Sequence, residues 1–289
     1  MPIFFIIFVL NFRYITKMSQ KNVLFIAQEI YPYLPETQIS LTARQLPQAI
    51  QERGHEIRTF MPKYGNINER RNQLHEVIRL SGMNLIIDDT DYSLLIKVAS
   101  IQPARMQVYF IDNEEFFQRK GTVVDKSGKE YEDNDIRSIF FIRGVMETIK
   151  KLRWIPDIIH CHGWMTALAP LYIKKSYADD PCFTNSKVIY SVYNNGFTKP
   201  FRPGFLEKLK FDAIGDKEIE ELAKRGTFDF NTLTKLAIDY SDGIIQGSEE
   251  ISDEIKNYIA DKEIEFLGYE EDFDKNVEEI ESFYKKIDQ

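Results

Sequence analysis

Trp154-Ile155-Pro156-Asp157-Ile158-Ile159-His160-Cys161-His162-Gly163-Trp164-Met165-Thr166-Ala167-Leu168-Ala169-Pro170 is the stretch whose reading decides the fold. After Pro156 a short apolar run gives way, through a turn at Gly163, to apolar residues at helical spacing. That succession is how a buried parallel strand hands over to its crossover helix. In open α/β sheets ligands sit at the carboxyl ends of strands, so His160, His162 and Trp164 fall where chemistry is expected. A plainer reading stands beside this one. Histidine is often buried with its ring bonded to neighbours, and Trp164 suits a core. His162, at the strand tip, is the better placed of the two histidines to meet a ligand.

Outward from this stretch the alternation continues. Asn22-Val23-Leu24-Phe25-Ile26-Ala27 is a nearly continuous apolar run and reads as the first strand. Ile39, Ala43, Leu46 and Ile50 recur every three or four residues and end at Gly54, which predicts an amphipathic helix. Residues 56–61 then read as a second parallel strand, so the chain opens with a βαβ unit. The texture changes over residues 76–80, 83–87, 93–99 and 106–111, candidate strands separated by Ser81-Gly82 and Asp88-Asp89. Such turns predict short antiparallel pairs. Residues 113–119 suggest a short helix, 121–132 an exposed loop, and Asp133 or Asp135 the cap of a helix reaching Leu152. Farther on come a strand at 187–193, a helix at 232–240, a strand at 243–246, a helix at 249–259 and a closing helix at 272–287. The expected class is α/β, a mostly parallel sheet with flanking helices and a short antiparallel insertion, in one domain over residues 18–289.

Composition narrows the function. At 289 residues and 43% hydrophobic, the chain can bury a large core. A formal charge of -8 leaves no excess of Lys and Arg to neutralise phosphates or an anionic membrane. No nucleic-acid and no membrane partner is therefore expected, and the reading is of an acidic cytoplasmic protein. Its only cysteines, Cys161 and Cys182, suit a reducing compartment, and neither has metal-site spacing with the four histidines. No metal and no cofactor is expected. The apolar run over residues 1–10 is far short of the ~20 that span a bilayer. It also lacks the basic start and small-residue cleavage site of a signal peptide. Residues 1–17 are expected to be a non-structural extension, with translation starting at Met18 rather than Met1.

The loops limit the chemistry. A nucleotide-binding fold usually has Gly after its first strand for close backbone approach, and often Lys for phosphate. Here the loop is Tyr31-Pro32-Tyr33-Leu34-Pro35-Glu36-Thr37-Gln38, with neither. Glu36 places a negative charge where a phosphate would lie, and suits instead a solvated helix start. Tyr193-Asn194-Asn195-Gly196 serves two readings equally, a sugar held by hydrogen bonds and ring stacking, or a plain turn. The clustered acids around Asp112-Asn113-Glu114-Glu115 read as capping and solvation rather than as acid or base catalysts.

Taken in order, these motifs resemble the N-terminal starch synthase catalytic domain of bacterial glycogen synthases and plant starch synthases. The resemblance runs from about residue 22 to 263. It is carried by Glu29-Ile30-Tyr31-Pro32-Tyr33, Leu46-Pro47, the run Val108-Tyr109-Phe110-Ile111-Asp112-Asn113 with Phe116-Phe117 and Arg119, and Tyr131 with Asp133-Asn134 and Arg137. Asp157 to Pro170, Lys235-Leu236-Ala237 and Tyr240-Ser241-Asp242 complete it. It implies a Rossmann-like domain, one half of a two-Rossmann glycosyltransferase that moves glucose from ADP-glucose to α-1,4-glucan. It also implies that His162 is the sugar-contacting histidine and candidate catalytic residue, with Trp164, Tyr193 and Asn194 as further substrate contacts.

Departures from the family pattern carry equal weight. Where the family has Lys-Thr-Gly-Gly-Leu, whose Lys and glycines hold the sugar nucleotide, this chain has Pro35-Glu36-Thr37-Gln38-Ile39. The family's His-Asp-Trp becomes His162-Gly163-Trp164, and its His-Asn becomes Tyr193-Asn194. The family's second nucleotide-binding half, with the Arg, Lys and Glu that complete the donor site, would have to come from a separate chain. The expectation is a degenerate donor site that does not transfer glucose alone. The alternative is a non-catalytic module that binds α-glucan or regulates storage-polysaccharide metabolism.

Overall fold

Residues 20–289 are described by the structure, a computed structural model, and the expected extension over 1–17 and the Met18 start lie outside them. In chain order the elements begin with β1 (Asn22–Ala27), α1 (Gln38–Glu52), β2 (Glu56–Pro62), β3 (His75–Glu76), β4 (Met83–Ile87), β5 (Thr90–Ile101) and β6 (Met106–Asp112). Then follow α2 (Glu114–Phe117), α3 (Asn134–Leu152), β7 (Ile158–His162), a 3₁₀ turn (Trp164–Thr166), α4 (Ala169–Lys174) and β8 (Lys187–Val192). The remainder is α5 (Phe205–Lys208), α6 (Asp216–Ala223), α7 (Phe230–Asp239), β9 (Gly243–Gln246), α8 (Asp253–Ala260), β10 (Glu265–Leu267) and α9 (Phe273–Ile287).

The strands form one sheet in the order β10-β9-β8-β7-β1-β2-β6-β5-β3, with β4 paired to β5 off that path. From β10 to β6 every pairing is parallel. The insertion supplies the antiparallel part, β5 against β6, β3 and β4. Parallel strands covered on both faces are apolar on both faces, which is why β1 and β7 read as unbroken runs. One face turns Leu24, Ile26, Ile159, Cys161 and Tyr190 into the main core beneath α3, α4 and α7. The other turns Val23, Phe25, Ile158, Ile189 and Ile245 towards Leu46 and Ile50 of α1 and Val277, Ile280 and Phe283 of α9. The result is the expected Rossmann-like α/β arrangement.

Several boundaries differ from expectation, each for a local reason. The strand expected at 76–80 is only His75–Glu76, because Val77 donates its N–H to Ile96 and its carbonyl then closes a turn onto Leu80 and Ser81. The helix expected from 249 starts at Asp253, where the Ser252 hydroxyl caps it by accepting from Ile255. Asp133 holds the cap position of α3, yet its carboxylate pairs with Arg119 and makes no cap bond. Asp135 is buried and takes Arg202 at 2.7 Å. Among the described residues no helix is long and apolar enough to cross a membrane.

Candidate functional site at the strand carboxyl ends

Side chains two apart on a strand share a face, so His160 and His162 both point to the α1/α9 side, with their ring centroids 4.0 Å apart. His160 is fully buried and both its nitrogens are satisfied, Nδ1 sharing a hydrogen bond with the Tyr284 hydroxyl of α9 at 2.7 Å and Nε2 with the Ser191 hydroxyl of β8 at 2.7 Å. That is the plainer of its two readings. His162 is equally buried, but only Nδ1 has a partner, the Tyr193 hydroxyl at 2.8 Å, and Nε2 has none among the described residues. Charging either ring here would strip an imidazolium of water. Burial, and then the neighbouring His162, holds His160 well below the ordinary imidazole value, and burial holds His162 down at about 3. At neutral pH these rings are therefore neutral hydrogen-bonding groups.

The other expected contacts fall in different places. Trp164 is 2% exposed and packs its ring against Phe197 and Phe201, at 4.9 and 6.1 Å between centroids. This core position corrects the expectation that its ring meets substrate. Tyr193 is also buried, so it offers its hydroxyl to His162 rather than a ring face for stacking. It fits because residue 247 is glycine, since a Cβ there would lie 2.6 Å from the Tyr193 ring. Asn194 is exposed at the rim, and its backbone N–H donates to the Ser248 hydroxyl at 3.1 Å. Gly163 has φ 87° and ψ 160°, a conformation that is essentially glycine's alone. A Cβ there would also meet Gln28 at 2.9 Å. The family's Asp does not fit this backbone.

In the first loop Thr37, not Glu36, organises the helix start. Its hydroxyl accepts from Ser40 N–H at 3.0 Å and donates to Glu29 at 2.8 Å, while the Ser40 hydroxyl accepts from Thr37 N–H at 2.8 Å. These reciprocal bonds satisfy two of the backbone donors at the helix start, those of Thr37 and Ser40. Pro35 and Glu36 are exposed ahead of the cap, and Gln38 is the first helical residue. Burial raises the Glu29 carboxyl above its usual range, against the opposing bond from Thr37.

Three recesses run along the strand ends. One of about 740 Å³ lies between the first loop and the loops at 65–68 and 120–126, and Lys120 and Lys126 line it. A second of about 430 Å³ has Gln38, Asn194, Asn195, Glu249 and Glu250 in its wall. The two share Glu29 and Thr37. A third of about 290 Å³ reaches between α1 and α9 to His160 and His162, and shares Gln38 and Tyr193 with the second. No Lys or Arg lines the second or the third. Among the described residues no group of three His, Cys, Asp or Glu is placed to hold a metal.

The expected residues His162, Tyr193, Asn194, Thr37 and Gln38 thus converge, whereas Trp164 does not. Sequence reasoning missed Glu29 as a wall of two recesses and the α9 residues altogether. The Thr-x-x-Ser spacing of Thr37 and Ser40 was a usable signal for the cap.

The starch synthase catalytic domain family matches residues 22–267. Glycogen synthase of Chlorobium limicola is 34% identical over 241 residues, 82% of this chain and 48% of the relative. Glycogen synthase of Chlorobaculum tepidum is 37% identical over 205 residues, 70% of this chain and 41% of the relative. The chain therefore spans about half the length of the curated relatives it matches. The structure of the catalytic domain of starch synthase IV from Arabidopsis thaliana, bound to ADP and acarbose, superposes with a TM-score of 0.69 at 20% identity. It covers 86% of this chain and 51% of that one, a likeness of fold.

Proposed function

Since this chain belongs to the starch synthase catalytic domain family, and is a glycogen/starch synthase-like glycosyltransferase domain, we propose that it holds α-glucan and does not transfer glucose from ADP-glucose by itself. The observation that carries this reading is the chemistry of the second recess. Glu29, Glu249 and Glu250 line it, no Lys or Arg does, and two backbone donors at the helix start, the N–H groups of Thr37 and Ser40, are already engaged by each other's hydroxyls. A diphosphate leaving group needs cations and preorganised N–H donors, and losing one such donor commonly costs ~10²–10³ in rate. Carboxylates in that position repel it. A neutral glucan has no such conflict, and Asn194, Asn195, Gln38 and Thr37 offer hydroxyl-matching donors and acceptors along an open trough.

Open surfaces with a few polar contacts give modest affinity once the cost of ordering the ligand is met. The setting proposed for it is the cytoplasm. The test is affinity electrophoresis through glycogen. The full chain should be retarded, and Asn194→Ala combined with Gln38→Ala should reduce the retardation several-fold. A wild-type chain that migrates as it does without glycogen overturns the reading.

A further inference from the structure

The free edge of the sheet at β10 is unlike the rest of the surface. β10 pairs only with β9, and among the described residues no other group bonds the main chain of residues 265–268. Backbone groups on an unpaired edge are a template for another strand. Phe266 stands level with Ile244 of β9 and shares its face of the sheet, the α7 side, where it is 43% exposed. Its neighbour Glu265 turns to the opposite face and pairs with Lys286 of α9. On that face a groove of about 580 Å³ runs between β10 and α9, with Leu267 and Phe283 in its wall and Glu278 and Glu279 beside them. Of the seven large hydrophobic residues exposed among the described residues, Phe266, Tyr269 and Phe273 fall on β10 and the segment entering α9. Apolar side chains scattered singly are ordinary on a surface, whereas a concentration of them points to a partner.

Charge selects what covers this edge. Residues 249–289 hold fifteen Asp and Glu against five Lys, a net charge of -10, so that the 248 residues before them sum to +2. The lysines beside the edge are already paired, Lys286 with Glu265, and Lys275 with Glu270 and, at 3.7 Å, with Glu279. The exposed Glu263, Glu271 and Asp274 make no ion pair among the described residues, and Glu278 has only Arg53 at 4.0 Å. A second copy of the chain would bring the same -10 to the contact, and like charges repel. We propose that the edge of β10 takes an extended segment of another protein as a further strand, one in which Lys or Arg alternates with apolar residues. Its main chain bonds the outward N–H and C=O groups of β10, as in β-strand addition. Alternation places its apolar side chains on the face of Phe266 and its cations on the face of Glu278 and Glu279. Tyr269, Phe273 and α9 lie beyond residue 267, where the family match ends, and none of these contacts lies in the glucan trough.

Isothermal titration of the full chain with the acetylated, amidated heptapeptide Val-Lys-Val-Lys-Val-Lys-Val tests it. The peptide should bind saturably with a dissociation constant of about 0.1 mM, modest because a flexible segment must be ordered on binding. The same peptide with Glu in place of Lys should bind at least tenfold more weakly, and so should the Lys peptide methylated at every backbone nitrogen, which keeps its charge and loses its edge bonds. Phe266→Thr should weaken binding at least tenfold and Glu278→Lys at least threefold, with circular dichroism and the thermal melt unchanged. Glu220→Lys, the same change of charge on the exposed face of α6, should leave binding as it was. Absence of saturable binding, equal binding of the Glu or the methylated peptide, or unchanged binding by folded Phe266→Thr and Glu278→Lys each overturns the proposal. Sedimentation of the chain alone should show a monomer, and a dimer that Phe266→Thr dissociates would overturn it by giving the edge to a second copy. Glycogen electrophoresis of Phe266→Thr should match the wild type, so the trough and the edge stand or fall separately.

Discussion

The two histidines of β7 make a statement about pH. Their folded-state values lie below the unfolded one, His160 well below and His162 at about 3, so the folded chain binds fewer protons than the unfolded chain once the medium falls beneath about 6.5. Above that value both states carry neutral rings and these groups leave stability unchanged. As pH falls from about 6.5 towards about 3, His162 costs about 1.4 kcal/mol of stability per pH unit, and His160 acts in the same direction. Urea denaturation at pH 7.0, 5.5 and 4.5 should therefore give a falling midpoint, and His162→Phe should make the fall shallower. An identical slope in the variant would mean that His162 is charged in the folded protein. Sequence alone marked His160 and His162 as notable, but not their environment. The Tyr284 partner of His160 is 124 residues away, a distance no local pattern spans.

At the scale of elements, α9 has the largest consequence. All three crossovers after β7, the last through α8, run on the α3/α4/α7 face, which leaves the opposite face of β7, β8 and β9 to α1 and α9. Deleting residues 269–289 would remove Val277, Ile280, Phe283, Tyr284 and Ile287 from the cluster that includes Ile158, Ile189 and Ile245, leaving α1 as its only helix, and would leave His160 Nδ1 without Tyr284. Each buried aliphatic or aromatic side chain contributes about 1.5–3 kcal/mol, so the sum is comparable with the ~5–15 kcal/mol total of a typical protein. The truncated chain should lose its cooperative thermal transition and bind a hydrophobic dye. A cooperative melt within a few degrees of the full chain would show that α9 is dispensable.

The periodicity of α9 was readable, with Val277, Ile280 and Phe283 at helical spacing, as were β1, β4 and β9 from their apolar runs. β10 was not, because three residues with Glu265 and Phe266 exposed give no alternation to detect. β3 was overread because Val77 and Leu80 bury their side chains in a turn as readily as in a strand.

The whole molecule combines a recognisable starch synthase architecture with an acidic recess beside the first loop. The architecture was legible because parallel strands and their crossovers are written in long apolar runs. The departure in the first loop was legible because it is local, Pro35-Glu36-Thr37-Gln38 standing where the resemblance asks for Lys and two glycines. The acidic lining from Glu29, Glu249 and Glu250 became apparent only when folding brought three separate segments together. On the proposed reading the chain binds no donor, so a higher donor concentration should not rescue turnover. The decisive measurement is incorporation of radiolabelled glucose from ADP-glucose into glycogen by the purified 289-residue chain, with His162→Ala as control. The account predicts equal, background incorporation by both at every donor concentration. Incorporation by the wild type above the His162→Ala level would contradict it.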